Sequence, residues 1–201
     1  MKIFRAFLIA AVCVVGYRCD CKDKFKKSEI VPAIIPNAPD MALEILYNNQ
    51  SIVCGSNVSV SLTMNAPLLK FNCDGSKIYT LVMIDVDSLT KEFNIFSPYR
   101  HWLITDILGC NMKSGKLQST YMQPNPTPGL GPHRYIMLIY EQTSPINNTQ
   151  VGVLDRARFD LNGFVKTNDL QGPVAGNFFY VGFSLIDVIK KSLEKLKKLL
   201  L

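Results

Sequence analysis

From Ala42 to Glu141 the chain alternates short apolar or β-branched runs with turn residues, the signature of strands rather than helices. The runs are Ala42–Tyr47, Val58–Thr63, Leu68–Cys73, Ile78–Asp85, His101–Ile107 and Arg134–Glu141. Asp74-Gly75 falls between the third and fourth and predicts a tight turn. Ile78–Ile84 is almost unbroken in its apolarity, as a strand buried on both faces should be, and Met137–Tyr140 behaves likewise. Helical spacing begins only after Asp155, where Phe159, Phe164 and Val165 share one side of a segment that should stop near Asn168. Asn177–Phe183 returns to a strand pattern. Leu185, Ile189, Leu193, Leu196 and Leu200 then step by three or four along one face of a last helix. Strands first and helices late predict a β-dominated α+β domain.

The two ends stand outside this pattern. Lys2 and Arg5 precede an uncharged apolar run from Ala6 to Gly16, too short for a bilayer span of ~20 residues. A basic start, a short apolar stretch and a small residue at its end predict a signal peptide over residues 1–19, cut after Gly16 or Cys19. The expected product is secreted and extracellular. Residues 20–29 read as a flexible basic lead-in, 30–187 as the domain, and 188–201 as a basic amphipathic helical extension. Pro32, Pro36 and Pro39 predict an extended surface coil over Val31–Pro39.

Export changes how the six cysteines read. An oxidising compartment favours one or two disulfides over free thiols. No C-x-x-C pair exists, and Cys19-x-Cys21 is too tight for the usual zinc spacing. Sequence does not fix the pairing; Cys54 with Cys73 is the first candidate. Three N-glycosylation sequons begin at Asn49, Asn57 and Asn147. The net charge of +6 is carried by the ends, with lysines at 22, 24, 26 and 27 and again at 190, 191, 195, 197 and 198. Between Ile30 and Ile186, 10 Lys and Arg face 11 Asp and Glu, a balance of −1. A neutral fold without a recognisable module excludes nucleic acid as the expected partner.

Polar groups at three strand ends are the candidate chemistry. His101 and His133 are the two histidines, each at the start of a strand, and Asp85 ends the apolar run from Ile78. A carboxylate there is costly unless it is paired or faces a pocket. Singly, each has a bland explanation as a turn cap or packing residue. Four motifs in order change that. Lys77–Asp87 resembles the strand ending in Asp-Pro-Asp-Ala-Pro of the phosphatidylethanolamine-binding protein family, and His101-Trp102-Leu103 resembles its His-x-Leu strand. Gly131-Pro132-His133-Arg134-Tyr135 matches Gly-x-His-Arg-Tyr, and Gly172–Phe179 resembles Gly-x-Pro-Val-Ala-Gly-Asn-Phe-Phe. The resemblance runs from about Ile30 to Phe183.

That resemblance implies a central antiparallel β-sheet with a smaller sheet and C-terminal helices. It also implies a pocket for a phospholipid head group or small phosphorylated ligand, formed by Asp85, His101, Pro126, Gly131, His133 and Tyr135. Imidazole N–H groups and a phenol can donate to phosphate oxygens, and Asp85 would orient one imidazole. Arg134 should point away from His133 and Tyr135, as a salt-bridge partner. The chain departs from the family pattern at Val86, Ser88 and Leu89, at Tyr99 and Arg100 (where Trp and His are common), and at Ile186 in place of a pocket-closing tyrosine.

The expectation is therefore a non-catalytic binding protein without a metal or cofactor. Two imidazoles and a carboxylate could ligate a metal, but no H-E-x-x-H or G-x-S-x-G signature supports an enzyme. Since the family includes protease inhibitors, an extracellular protease is the alternative partner, by fold analogy alone. The last helix admits a third partner, an anionic membrane surface drawn to its lysines, against packing of its leucine stripe on the fold.

Overall fold

The computed structural model describes residues 21–88, 91, 95–146, 153–183, 189 and 193. A helix, α1, covers 21–27. Ten strands follow: β1 (Met41–Ala42), β2 (Glu44–Tyr47), β3 (Gln50–Ser51), β4 (Ser56–Val58), β5 (Leu68–Lys70), β6 (Ile78–Asp85), β7 (Tyr99–Leu108), β8 (Lys116–Ser119), β9 (His133–Gln142) and β10 (Gln171–Val181). A second helix, α2 (Leu161–Thr167), precedes β10 and is capped by the Asp160 carboxylate, which accepts from Gly163 N.

The larger sheet runs β1-β10-β9-β6-β7-β8, with β4 also beside β10. Its centre is antiparallel, as expected. β1 and β4 join β10 in parallel, which makes the sheet mixed at that edge. The smaller sheet is β3-β2-β5.

Strand periodicity explains the layering. On one face of the large sheet Leu81, Met83, Tyr135, Met137 and Ile139 pack with Leu43, Ile45 and Leu69 of the smaller sheet region. On the other face Val82, Ile84, Ile136, Leu138 and Tyr140 pack with Phe25, Ile35, Leu161 and Leu170. β6 and β9 are thus buried on both sides, which is why their apolar runs are continuous.

Three local expectations are corrected. The lead-in is not flexible in the part described: α1 buries Phe25 completely, with its ring edge-on to Phe178 at 4.9 Å. Val31–Pro39 is not simply extended; Ile34 N and Ile35 N both bond Ile30 O, and this turn drives Ile30 and Ile35 into the core. Val58–Thr63 is split. Ser59 Oγ accepts from Leu62 N and Thr63 Oγ1 donates to Val60 O, so 60–63 wind into a 3-10 turn instead of a ladder. The tight turn expected at Asp74-Gly75 is present, with Lys77 N on Asp74 O, and it joins the smaller sheet to the larger. The signal segment, Cys19, Asn147 and Ile186 lie outside the described residues. Of the last helix, Ile189 and Leu193 are described; both are helical and exposed.

The disulfides are Cys21–Cys54 and Cys73–Cys110, each with Cα atoms 5.7 Å apart, not Cys54–Cys73. The reason is topological. Cys54 packs in the helix-side core and Cys73 against the core on the opposite face of the large sheet. Peptide mapping of non-reduced protein should recover 21–54 and 73–110; a 54–73 peptide would contradict the structure. Replacing Cys21 and Cys54 by Ser frees a segment of 33 residues. By loop entropy that should cost about 3–4 kcal/mol and lower Tm by about 10 °C, checked by thermal unfolding without reductant.

Candidate functional site

The sheet register sets Asp85 directly between Tyr99 and Tyr135, because β6 lies between β7 and β9. The period of two then turns His101 and His133 to the same end of the sheet as these tyrosines. Asp85, Tyr99, His101, His133 and Tyr135 line one cavity of about 330 Å³. Ser88 after β6, and Met122, Gln123, Asn125 and Thr127 from the loop before β9, complete it. Four residues named from sequence therefore converge.

Two do not. Pro126 is buried in its loop and is not among the lining residues. Gly131 opens onto a second cavity with Lys27, Ser28 and Tyr180. Its contribution is conformational: φ is +88° there and +85° at Gly129, values that L side chains rarely adopt. The lining residues Met122, Gln123, Asn125 and Thr127 were missed; of the stretch 122–127 only Pro126 was named from sequence. Tyr99 did carry a signal, as a departure beside His101.

Asp85 is buried and both its oxygens are used. Oδ2 meets Nδ1 of His133 at 2.8 Å, and Oδ1 accepts from Asp87 N at 2.8 Å. The second bond is an Asx-turn that shapes the bend after β6, where the family pattern has prolines. The carboxylate fixes Nδ1 as the protonated nitrogen of His133 and sets the ring's orientation. His101 is fixed differently: its Nδ1 lies 2.8 Å from the carbonyl oxygen of Met122, which can only accept. Its ring is edge-on to Tyr99 at 5.4 Å and to Tyr135 at 5.1 Å. Burial lowers the His101 pKa below the ordinary 6.5, against the opposing pull of the Met122 bond and of Asp85. Burial and the neighbouring Asp85 carboxylate push the Tyr135 phenol well above its ordinary range, so it stays a neutral donor.

Arg134 points the other way, as expected from strand alternation. Its Nε and Nη2 grip the two oxygens of Asp87 at 2.8 and 2.6 Å, and Nη1 donates to Ser28 O. Both members of this pair are buried.

Residues 36–179 match the family model described as phosphatidylethanolamine-binding protein. The chain belongs to that family. It is 28% identical over 161 residues to a 26 kDa secreted antigen of Toxocara canis, covering 77% of this chain and 62% of that protein. It is 29% identical over 160 residues to a Drosophila melanogaster protein whose name assigns it, provisionally, to odorant binding (A5), covering 77% of this chain and 76% of that one. Among solved structures, a carboxypeptidase Y inhibitor crystallised with its cognate proteinase superposes with a TM-score of 0.72 at 24% identity. That match covers 83% of this chain and 97% of the inhibitor. The phosphatidylethanolamine-binding protein fold, a large sheet with a smaller one and helices, is thereby shared.

The state of His101 has a measurable consequence. A histidine whose folded pKa is depressed binds fewer protons folded than unfolded between that pKa and 6.5, so stability there rises with pH. Its contribution is complete above 6.5 and is lost as pH falls through the folded pKa. Titration by NMR should place His101 below its unfolded value. Denaturant midpoints of His101→Gln should fall less steeply on acidification than those of the native protein.

Proposed function

We propose that this protein is an extracellular, non-catalytic binder of a phosphate-bearing or other anionic head group, of the phosphatidylethanolamine type, in the Asp85–His101–His133–Tyr135 cavity. The observation that carries this reading is the convergence of both imidazoles and the Tyr135 phenol on one cavity. These groups are donors, or become donors on protonation, and they are pre-oriented by Asp85 and by the Met122 carbonyl. Pre-orientation removes part of the ordering cost of binding. A volume of about 330 Å³ has room for a head group beyond the phosphoryl unit.

Asp85 is committed to His133 and to Asp87 N, which favours an orienting role over metal ligation or proton abstraction. An extracellular setting is supported by the two disulfides, by the apolar leader in the sequence and by the relative named as a secreted antigen. Asn49 and Asn57 are both exposed, as acceptors of N-linked sugar must be. The likeness to a carboxypeptidase inhibitor supports a second reading, in which a protease is the partner. That reading predicts inhibition that does not depend on His101 or His133.

Binding an anion beside His101 should raise its pKa, so the complex takes up a proton and affinity should increase as pH falls toward the histidine range. Calorimetry with O-phosphoethanolamine in buffers of different ionisation enthalpy measures that uptake directly. His133→Gln and His101→Gln should each weaken binding about ten- to a hundredfold, the worth of a hydrogen bond to a charged group. Absence of binding to the native protein, with tight protease inhibition that survives both substitutions, would replace this reading with the second.

A further inference from the structure

Residues 48–62 enclose a groove of about 500 Å³, away from the head-group cavity. Its walls come from β3, the outer strand of the smaller sheet, and from β4, which among the described residues joins the larger sheet only through β10. None of its lining residues is charged. Asn48, Gln50, Ser51 and Ser56 supply amides and hydroxyls, and Val53 and Leu62 supply aliphatic surface. Val53 is 51% exposed, although Ile52 and Cys54 on either side of it are buried. Asn57 stands in the wall itself, exposed on β4, and Val58 and Ser59 complete its acceptor pattern for N-linked sugar. Asn49, the other exposed acceptor, sits in the two-residue turn between β2 and β3 and is not a lining residue.

This lining selects against a charged ligand, because no ionic group in it would offset the desolvation of an ion. Hydroxyls and carboxamides both donate and accept, which matches the hydroxyl and acetamido groups of a neutral sugar. The C–H faces of the sugar ring then have Val53 and Leu62 to lie on. A free sugar must offset its lost translational and rotational freedom before it is held in an open groove. A sugar tethered at Asn57 docks by an intramolecular step, so weak contacts suffice.

We propose that Asn57 carries an N-linked glycan whose first N-acetylglucosamine units lie in this groove and cover the outer edges of β3 and β4. The inference rests on the extracellular reading and does not involve the head-group cavity. In the modification the Asn57 side-chain nitrogen gives up a proton and bonds C1 of an N-acetylglucosamine. The bond from that carbon to a lipid-linked diphosphate breaks, and the diphosphate leaves with the electron pair. Once seated, the sugar denies the unpaired backbone groups of two short outer strands to another chain.

The full chain secreted from eukaryotic cells should carry sugar at Asn57, located by glycopeptide mapping. Peptide-N-glycosidase should release it from the folded protein at least about tenfold more slowly than from folded Val53→Asp, because a seated sugar must first lift out. After denaturation the two rates should be equal. Asn57→Gln should lower Tm by about 2–4 °C, and Asn49→Gln should leave it unchanged. A secreted chain with Asn57 unmodified overturns the proposal and leaves the extracellular reading standing, whereas a chain retained inside the cell overturns both. Equal release from the native protein and Val53→Asp also overturns it, as does a Tm loss in Asn57→Gln no larger than in Asn49→Gln. Should Val53→Asp not fold, the Tm comparison decides alone.

Discussion

Everything at the site depends on the way two consecutive residues of β9 hold two aspartates at the end of β6. His133 takes Asp85 on one side of the sheet and Arg134 takes Asp87 on the other. The backbone closes the arrangement, with Asp87 N on Asp85, Arg134 N on Asp87, and Val86 N on Arg134 O. Four ionisable groups are buried within a few residues, and each has its partner. Removing one member would leave a buried charge uncompensated, at a cost of about 3–5 kcal/mol. The same bonds that carry this cost also fix the imidazole that faces the cavity.

The N-terminal helix extends that clamp outward. Ser28, just beyond α1, gives its carbonyl to Arg134 and its hydroxyl to Tyr180. Cys21 ties the start of α1 to Cys54, and Phe25 seals against Phe178. A segment whose composition is polar and basic is therefore part of the support of the pocket. On the opposite flank, Arg156 spans the carbonyls of Arg100, His101 and Thr120 and so ties β7 to the loop after β8. The cavity is held between two arginine brackets, one on a carboxylate and one on backbone carbonyls.

Much of this was legible along the chain. The continuous apolar runs of β6 and β9 identify the buried centre, because only a strand covered on both faces loses its alternation. Asp85, His101, His133 and Tyr135 stand at strand ends inside motifs with a known order, and they share a cavity. Gly131 belongs to the same motif, yet what it supplies is a left-handed backbone, and its own position faces elsewhere. Misreadings arose where local bonds or long-range packing prevailed over composition. Ser59 and Thr63 turn a β-branched run into a 3-10 turn, and one buried phenylalanine with one disulfide orders a lysine-rich lead-in.

The sequence by itself determined which strands are central, which side chains could meet an anion, and the family to which the chain belongs, because periodicity and motif order are properties of neighbours along the chain. Only the tertiary structure decided that Cys21 pairs with Cys54, that Gly131 and Pro126 do not line the pocket, and that Arg100 and Arg156 lie buried with donors unmet. Those outcomes depend on which face of a sheet a residue reaches and what comes to cover it. Both are set by contacts between segments far apart in sequence, where no local pattern records them.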